Sequence, residues 1–148
     1  MHVRILVAGK PSLAYAKAGA EEYLKRLRRF GDHTLEIVKA GCSADVSARL
    51  LERSAGSFRI AMDERGELLT TSAWATRMES IERREGVKTV AYLIGAADGH
   101  TEELRNACDM MLSLSRLTLQ HELVLVVLLE QIYRVATLRK GEPYHRES

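Results

Sequence analysis

Cysteine is nearly missing from this sequence. Its only two, Cys42 and Cys108, stand outside any Cys-x-x-Cys or Cys/His ligand spacing. That excludes a disulfide scaffold and a zinc or iron–sulfur framework, and leaves reduced structural thiols of a cytoplasmic protein. Proline is as scarce, at 2 residues in 148, and 46% hydrophobic with 28% charged residues is a globular balance rather than a disordered one. No apolar run approaches the ~20 residues of a membrane span. The opening MHVRILVAGK sets an arginine inside its apolar run and has no small-residue cleavage site, so it reads as a strand and not as a signal peptide. The expectation is one soluble domain over residues 1–148, long enough to bury roughly 70% of its unfolded surface.

Charge of one sign is also lacking. A net charge of +2 is too small to announce a nucleic-acid partner. Two groups of cations still stand out: Lys25, Arg26, Arg28 and Arg29 in YLKRLRRF, and Arg134, Arg139, Lys140, His145 and Arg146 at the end of the chain. The first also suits a helix C-terminus, where cations meet the dipole.

What is present is an alternation. VRILVAG reads as a buried strand. SLAYAKAGAEEYLKRLRRF reads as a helix capped by Ser12 and stopped by Gly31. TLEIVKA, FRIAMD, KTVAYLIG and MMLSLS are further strands, with the ERG after FRIAMD as a turn. SADVSARLLERSAG, TSAWATRMESIERREG and TEELRNA are helices between them, and a long helix runs from about His121 to Arg139. Strands alternating with helices imply an α/β fold with a mostly parallel sheet covered on both faces. The run LVLVVLL is apolar all round the last helix, which therefore packs against the sheet and against a second surface, either the rest of the core or another copy of the chain.

Several chemistries lack their motifs. There is no Walker pattern, no Gly-x-Gly-x-x-Gly, no nucleophile elbow, no His-Glu-x-x-His and no metal-ligand cluster. No metal is expected. In an open α/β sheet, ligands sit beyond the carboxyl ends of the strands. Three such ends are suggestive: Met62 with Asp63, IGAADGH from Ile94 to His100, and SLSRLTLQHE from Ser113 to Glu122. Gly95 and Gly99 serve there either as a tight turn or as places where backbone approaches a ligand.

The strings VRILVAGK, VKTVAYLIGAADGH, LSLSRLTLQHE and LLEQIYRVATLRKGEPYHRE, in this order, resemble the RlmH family of SPOUT methyltransferases over the whole chain. That resemblance implies a deep C-terminal trefoil knot, which physical expectation alone would reject. It also implies a homodimer that uses S-adenosylmethionine to methylate N3 of a pseudouridine in 23S ribosomal RNA on the assembled ribosome. By position, Met62, Gly95 and the loop Leu114, Ser115, Arg116, Leu117, Thr118 and Leu119 would hold the cofactor. Backbone groups of such loops can meet an adenine edge while aliphatic side chains cover its faces. Three positions depart from the family pattern: Ala96 where a second glycine is usual, Gln120 where proline is common, and Leu125 where an arginine is usual.

Methyl transfer to a ring nitrogen asks the protein to hold two partners in line, worth up to ~7–11 kcal/mol. It must also help the N3–H ionise, at about 1.36 kcal/mol per pKa unit. One charge-assisted hydrogen bond of roughly 1.5–3 kcal/mol is help of the right size. The closing EPYHRES supplies a phenol, an imidazole and a guanidinium in a row. The expectation is that Tyr144, His145 and Arg146 fold over a cofactor pocket, the partner's, once RNA docks. Tyr144 would stack on or bond to the base, and His145 would be the general base or electrostatic stabiliser. Arg134 and His121 are candidates for phosphate or base contacts, although His121 can equally cap the last helix and Tyr133 can be core. Two rival readings are a ribosome-associated binding module without catalysis and a knotted methyltransferase acting on transfer RNA.

Overall fold

The structure, a computed structural model, describes residues 1–146. Its chain order is β1 (His2–Ala8), α1 (Ala14–Leu27) with a 3-10 turn Arg28–Phe30, β2 (His33–Val38), α2 (Ser43–Arg53), β3 (Phe58–Leu68), α3 (Thr71–Glu82), β4 (Thr89–Ile94), α4 (Glu102–Ala107), β5 (Met110–Ser113) and α5 (His121–Arg139). The strands form one sheet in the order β2-β1-β4-β3-β5, and all four pairings are parallel.

The alternation of strand side chains builds two cores. Ile5, Val7, Val90 and Tyr92 face a core shared with α1, α3 and α5, whereas Leu6, Ala8, Ala91 and Leu93 face one shared with α2 and α4. β3 and β4 lie side by side, yet the helices that follow them, α3 and α4, leave to opposite faces. A crevice therefore opens at their carboxyl ends.

Three local expectations are corrected. β3 does not end at Asp63 in an ERG turn. It runs on to Leu68 through a wide bulge, with both Met62 and Glu67 paired to Leu112. Gly66 makes this possible, because a Cβ there would lie 2.6 Å from the Met111 backbone. Ser12 does not cap α1 with its side chain. Instead its backbone N–H and hydroxyl donate to Glu122, as does the Leu13 N–H. Nor does His121 cap α5: the Gln120 side-chain oxygen accepts the N–H groups of Glu122 and Leu123 at 2.9 and 3.0 Å.

In α5, Leu125, Leu128 and Leu129 are fully buried, and α1 packs so closely that a Cβ on Gly19 would meet Val126 at 2.9 Å. Leu123, Val124 and Val127 remain half-buried along one side.

Candidate functional site

A cavity of about 470 Å³ occupies the crevice beyond β3, β4 and β5, within the range that holds a nucleoside-sized ligand. Met62, Gly95, Leu114, Ser115, Leu117, Thr118 and Leu119 line it, and so does His121. Arg116 points elsewhere, donating to the Glu64 carbonyl.

The Leu114–Leu119 loop is held from both sides. Ser113 donates to the Ser115 carbonyl and the Leu117 N–H donates to the Ser115 hydroxyl, each at 2.9 Å. The Thr118 hydroxyl reaches Glu64 of the β3 bulge, also at 2.9 Å. The bulge thus serves as the loop's anchor, and Leu114, Leu117, Leu119 and Val124 give the cavity an aliphatic side.

The opposite wall is the turn after β4. The Gly99 N–H closes it by donating to the Ala96 carbonyl at 2.9 Å, with Gly99 at φ 89°. Ser43 and Ser47 of α2 hold it through the Gly99 carbonyl and the Thr101 N–H. Gly95 has no positive φ, so its need is steric: a Cβ would lie 2.8 Å from His100 Nδ1. His100 is buried and lies 3.0 Å from the Leu93 carbonyl through Nε2. A carbonyl only accepts, so Nε2 carries the proton and Nδ1 is a lone pair with no partner among the described residues. Burial pushes the His100 imidazole below its ordinary pKa, against the pull of the Leu93 carbonyl and Asp63, so the ring is neutral at neutral pH.

Asp63 sits at the junction of the two walls, where its carboxylate accepts Arg105 Nε at 2.7 Å and the Arg65 N–H at 2.9 Å. Burial alone would raise its pKa, but these donors outweigh burial and hold it below the ordinary carboxylate value. Neither Arg105 nor the packing of His100 on Gly95 was foreseen from sequence. The available signal was weak: a histidine closing the glycine turn, and one arginine in a short helix.

The remaining expected residues gather at the other end of α5. Gly141, at φ 72°, ends that helix in a Schellman turn, with Gly141 N–H on the Leu138 carbonyl and Glu142 N–H on the Thr137 carbonyl. Glu142 then takes both terminal nitrogens of Arg29, at 2.8 and 2.6 Å. Tyr144 packs edge-on against Tyr133, donates to Glu130 at 3.1 Å and lies under the Arg134 guanidinium, 4.6 Å from its ring centre. Tyr133 is core. Burial, with Tyr23 and Glu130 beside it, pushes the Tyr144 phenol up, so it remains a donor at neutral pH. His145 is half-buried and Arg146 exposed. Arg134 and Tyr144 are thereby brought together, and neither they nor His145 line the cavity of their own chain. From His121 to Arg134 the helix rises about 20 Å.

Residues 1–145 match the family described as "Predicted SPOUT methyltransferase". The chain belongs to that family. Among curated relatives, one from Thermus thermophilus named ribosomal RNA large subunit methyltransferase H is 47% identical over 146 residues, covering 99% of both chains. A relative of the same name from Deinococcus deserti is 37% identical over 148 residues, covering 99% of this chain and all of the other. Two solved structures share the fold. One from Neisseria gonorrhoeae, described as a methylase-family protein, has TM-score 0.59 at 15% identity and covers 99% of this chain and 87% of its own. TrmJ from Z. mobilis has TM-score 0.54 at 13% identity, covering 99% and 73%.

Within this SPOUT chain the three departures have local explanations. Ala96 is tolerated because no non-glycine residue among the described ones has positive φ. Gln120 caps α5 with its side chain, and the Tyr15 hydroxyl braces that cap at 3.2 Å. Leu125 is fully buried in the α1/α3/α5 core, where an aliphatic side chain packs without a charge to desolvate.

Proposed function

We propose that this chain methylates N3 of a pseudouridine in 23S ribosomal RNA of the assembled ribosome, using S-adenosylmethionine. In this reading it is a single cytoplasmic domain, knotted in its C-terminal part and working as a homodimer. The observation that carries the proposal is the cavity at the carboxyl ends of β3, β4 and β5, in a chain that matches ribosomal RNA methyltransferases from end to end.

S-adenosylmethionine, when bound, supplies an electrophilic methyl group on a sulfonium. The aliphatic side of the cavity suits a flat ring, and its volume suits a nucleoside with a short tail. Gly95 lets the backbone wall stand close, and the pinned Leu114–Leu119 loop keeps its peptide groups fixed for an adenine edge. His121 stands where the cavity meets α5 and contacts the base or its phosphate.

The tail acts across the dimer. None of Tyr144, His145, Arg146 and Arg134 lines the cavity of its own chain, and in this reading they serve the partner's. The half-buried Leu123 and Val127, with Leu117 exposed at 74% beside the cavity, leave an apolar face for a second copy to cover. Tyr144 supplies the stacking surface, His145 the base or stabiliser of the ionising N3, and Arg146 and Arg134 the positive charge. Lys25 in the last turn of α1 and Arg28 in the 3-10 turn after it, both exposed, are further phosphate contacts.

The test supplies labelled S-adenosylmethionine with ribosomes from cells lacking the modification and, separately, with transfer RNA. Label in ribosomes is expected. Label confined to transfer RNA, or cofactor binding with no transfer to either, overturns the proposal.

A further inference from the structure

We propose that Arg105, oriented by Asp63, receives the carboxylate at the amino-acid end of the methyl donor. This rests on the donor reading of the cavity and goes beyond it by assigning its polar wall.

Asp63 is almost fully enclosed, with 6% of its side chain exposed, and Arg105 retains 18%. One carboxylate oxygen takes Arg105 Nε and the other takes the Arg65 N–H. Asp63 thereby holds the guanidinium by its Nε edge. Its two terminal nitrogens have no hydrogen-bond partner among the described residues. Both residues line the cavity. A largely buried guanidinium with unspent, preorganised N–H groups matches the two oxygens of a carboxylate in a planar fork.

Charge decides between a carboxylate and an RNA phosphate as the anion. Asp63, Glu64 and Asp98 outnumber Arg65 and Arg105 along the same cavity, a balance that disfavours a polyanion. A zwitterionic tail brings its own ammonium to meet them. His100 does not compete for the anion, because its protonated nitrogen is already committed to Leu93. The cavity is thereby divided, with leucines for the ring and Arg105 for the tail.

The experiment titrates the full-length protein with two probes, S-adenosylhomocysteine and 5′-methylthioadenosine, which lacks the amino-acid end. Arg105→Met is expected to weaken the first about 10- to 100-fold, the size of one charge-assisted pair, and to leave the second unchanged. Arg105→Lys, which can keep the Asp63 pair but loses the fork, should fall between. Equal weakening of both probes by Arg105→Lys overturns the proposal, since it marks a structural role. Unchanged S-adenosylhomocysteine affinity in both variants overturns it too, and loss of ribosome binding in those variants would then make Arg105 a phosphate contact. Failure of the wild-type protein to bind either probe removes the donor reading itself, a separate result.

Discussion

Glu122 Oε1 accepts the backbone N–H of Leu13 at 3.1 Å, so the first turn of α5 caps the start of α1. Ser12 gives the same carboxylate its N–H and hydroxyl, and the acceptor stands one residue from His121 at the cavity. Burial works to raise the Glu122 pKa, but the Leu13 and Ser12 donors prevail and hold it below the ordinary value. A carboxylate depressed in the folded state stabilises above its unfolded pKa of about 4.3, and that contribution disappears as pH falls through the folded value. Glu122→Ala should therefore lower the thermal midpoint at pH 7 and flatten its decline below about pH 5. Glu122→Gln, which keeps an acceptor for the N–H groups, should lose less. Melting curves across pH check both, and equal midpoints for all three proteins would contradict the capping role.

Gly95 and His100 give a second prediction. Because the obstacle is the imidazole and not backbone strain, Gly95→Ala should cost about 1–3 kcal/mol by overpacking and weaken binding of S-adenosylhomocysteine. The same change in a His100→Ala background should cost much less. A full penalty in the double variant would place the strain in the backbone.

Much of this fold was legible because side-chain period tracks burial. The alternation Ile5, Leu6, Val7, Ala8 named a strand buried on both faces, and the helix stop at Gly31 and the turn at Gly99 fell where positive φ was needed. What was hidden depended on partners distant in sequence. Ser12 looked like a cap, and only the fold reveals that Glu122 supplies the acceptor. The ERG stretch looked like a turn because nothing local shows that Gly66 can lie against the Met111 backbone and continue the strand. At the site, the glycine turn and the LSRLTL loop were readable, since they are contiguous. The Asp63–Arg105 pair joins the bulge of β3 to a helix beyond β4, so no local pattern announces it.

Buried polar contacts supply a third prediction. Trp74 Nε1 donates to the Tyr92 hydroxyl at 3.2 Å, and that hydroxyl lies 3.4 Å from Met78 Sδ, all within the core. Tyr92→Phe strands the indole N–H and should cost about 1–3 kcal/mol, or roughly 2–4 °C of melting temperature per kcal/mol in a chain of this size. An unchanged midpoint would mean that another acceptor takes over.

The tail offers the fourth. Removing residues from Tyr144 onward deletes the ring on Tyr133 and the bond to Glu130, but nothing that lines the chain's own cavity. Methyl transfer to ribosomes should be abolished, with S-adenosylhomocysteine affinity largely retained. Tyr144→Phe, which keeps the packed ring, should retain more activity than Tyr144→Ala. Full turnover by the truncated chain would remove the tail from the reaction.

The most direct measurement is the mass and position of the methyl group. Ribosomes lacking the modification are incubated with the protein and S-adenosylmethionine, and the large-subunit RNA is digested and its nucleosides resolved by mass spectrometry. N3-methylpseudouridine is the expected new product. A methyl group on any other nucleoside, or none from a protein that binds S-adenosylhomocysteine, would contradict it.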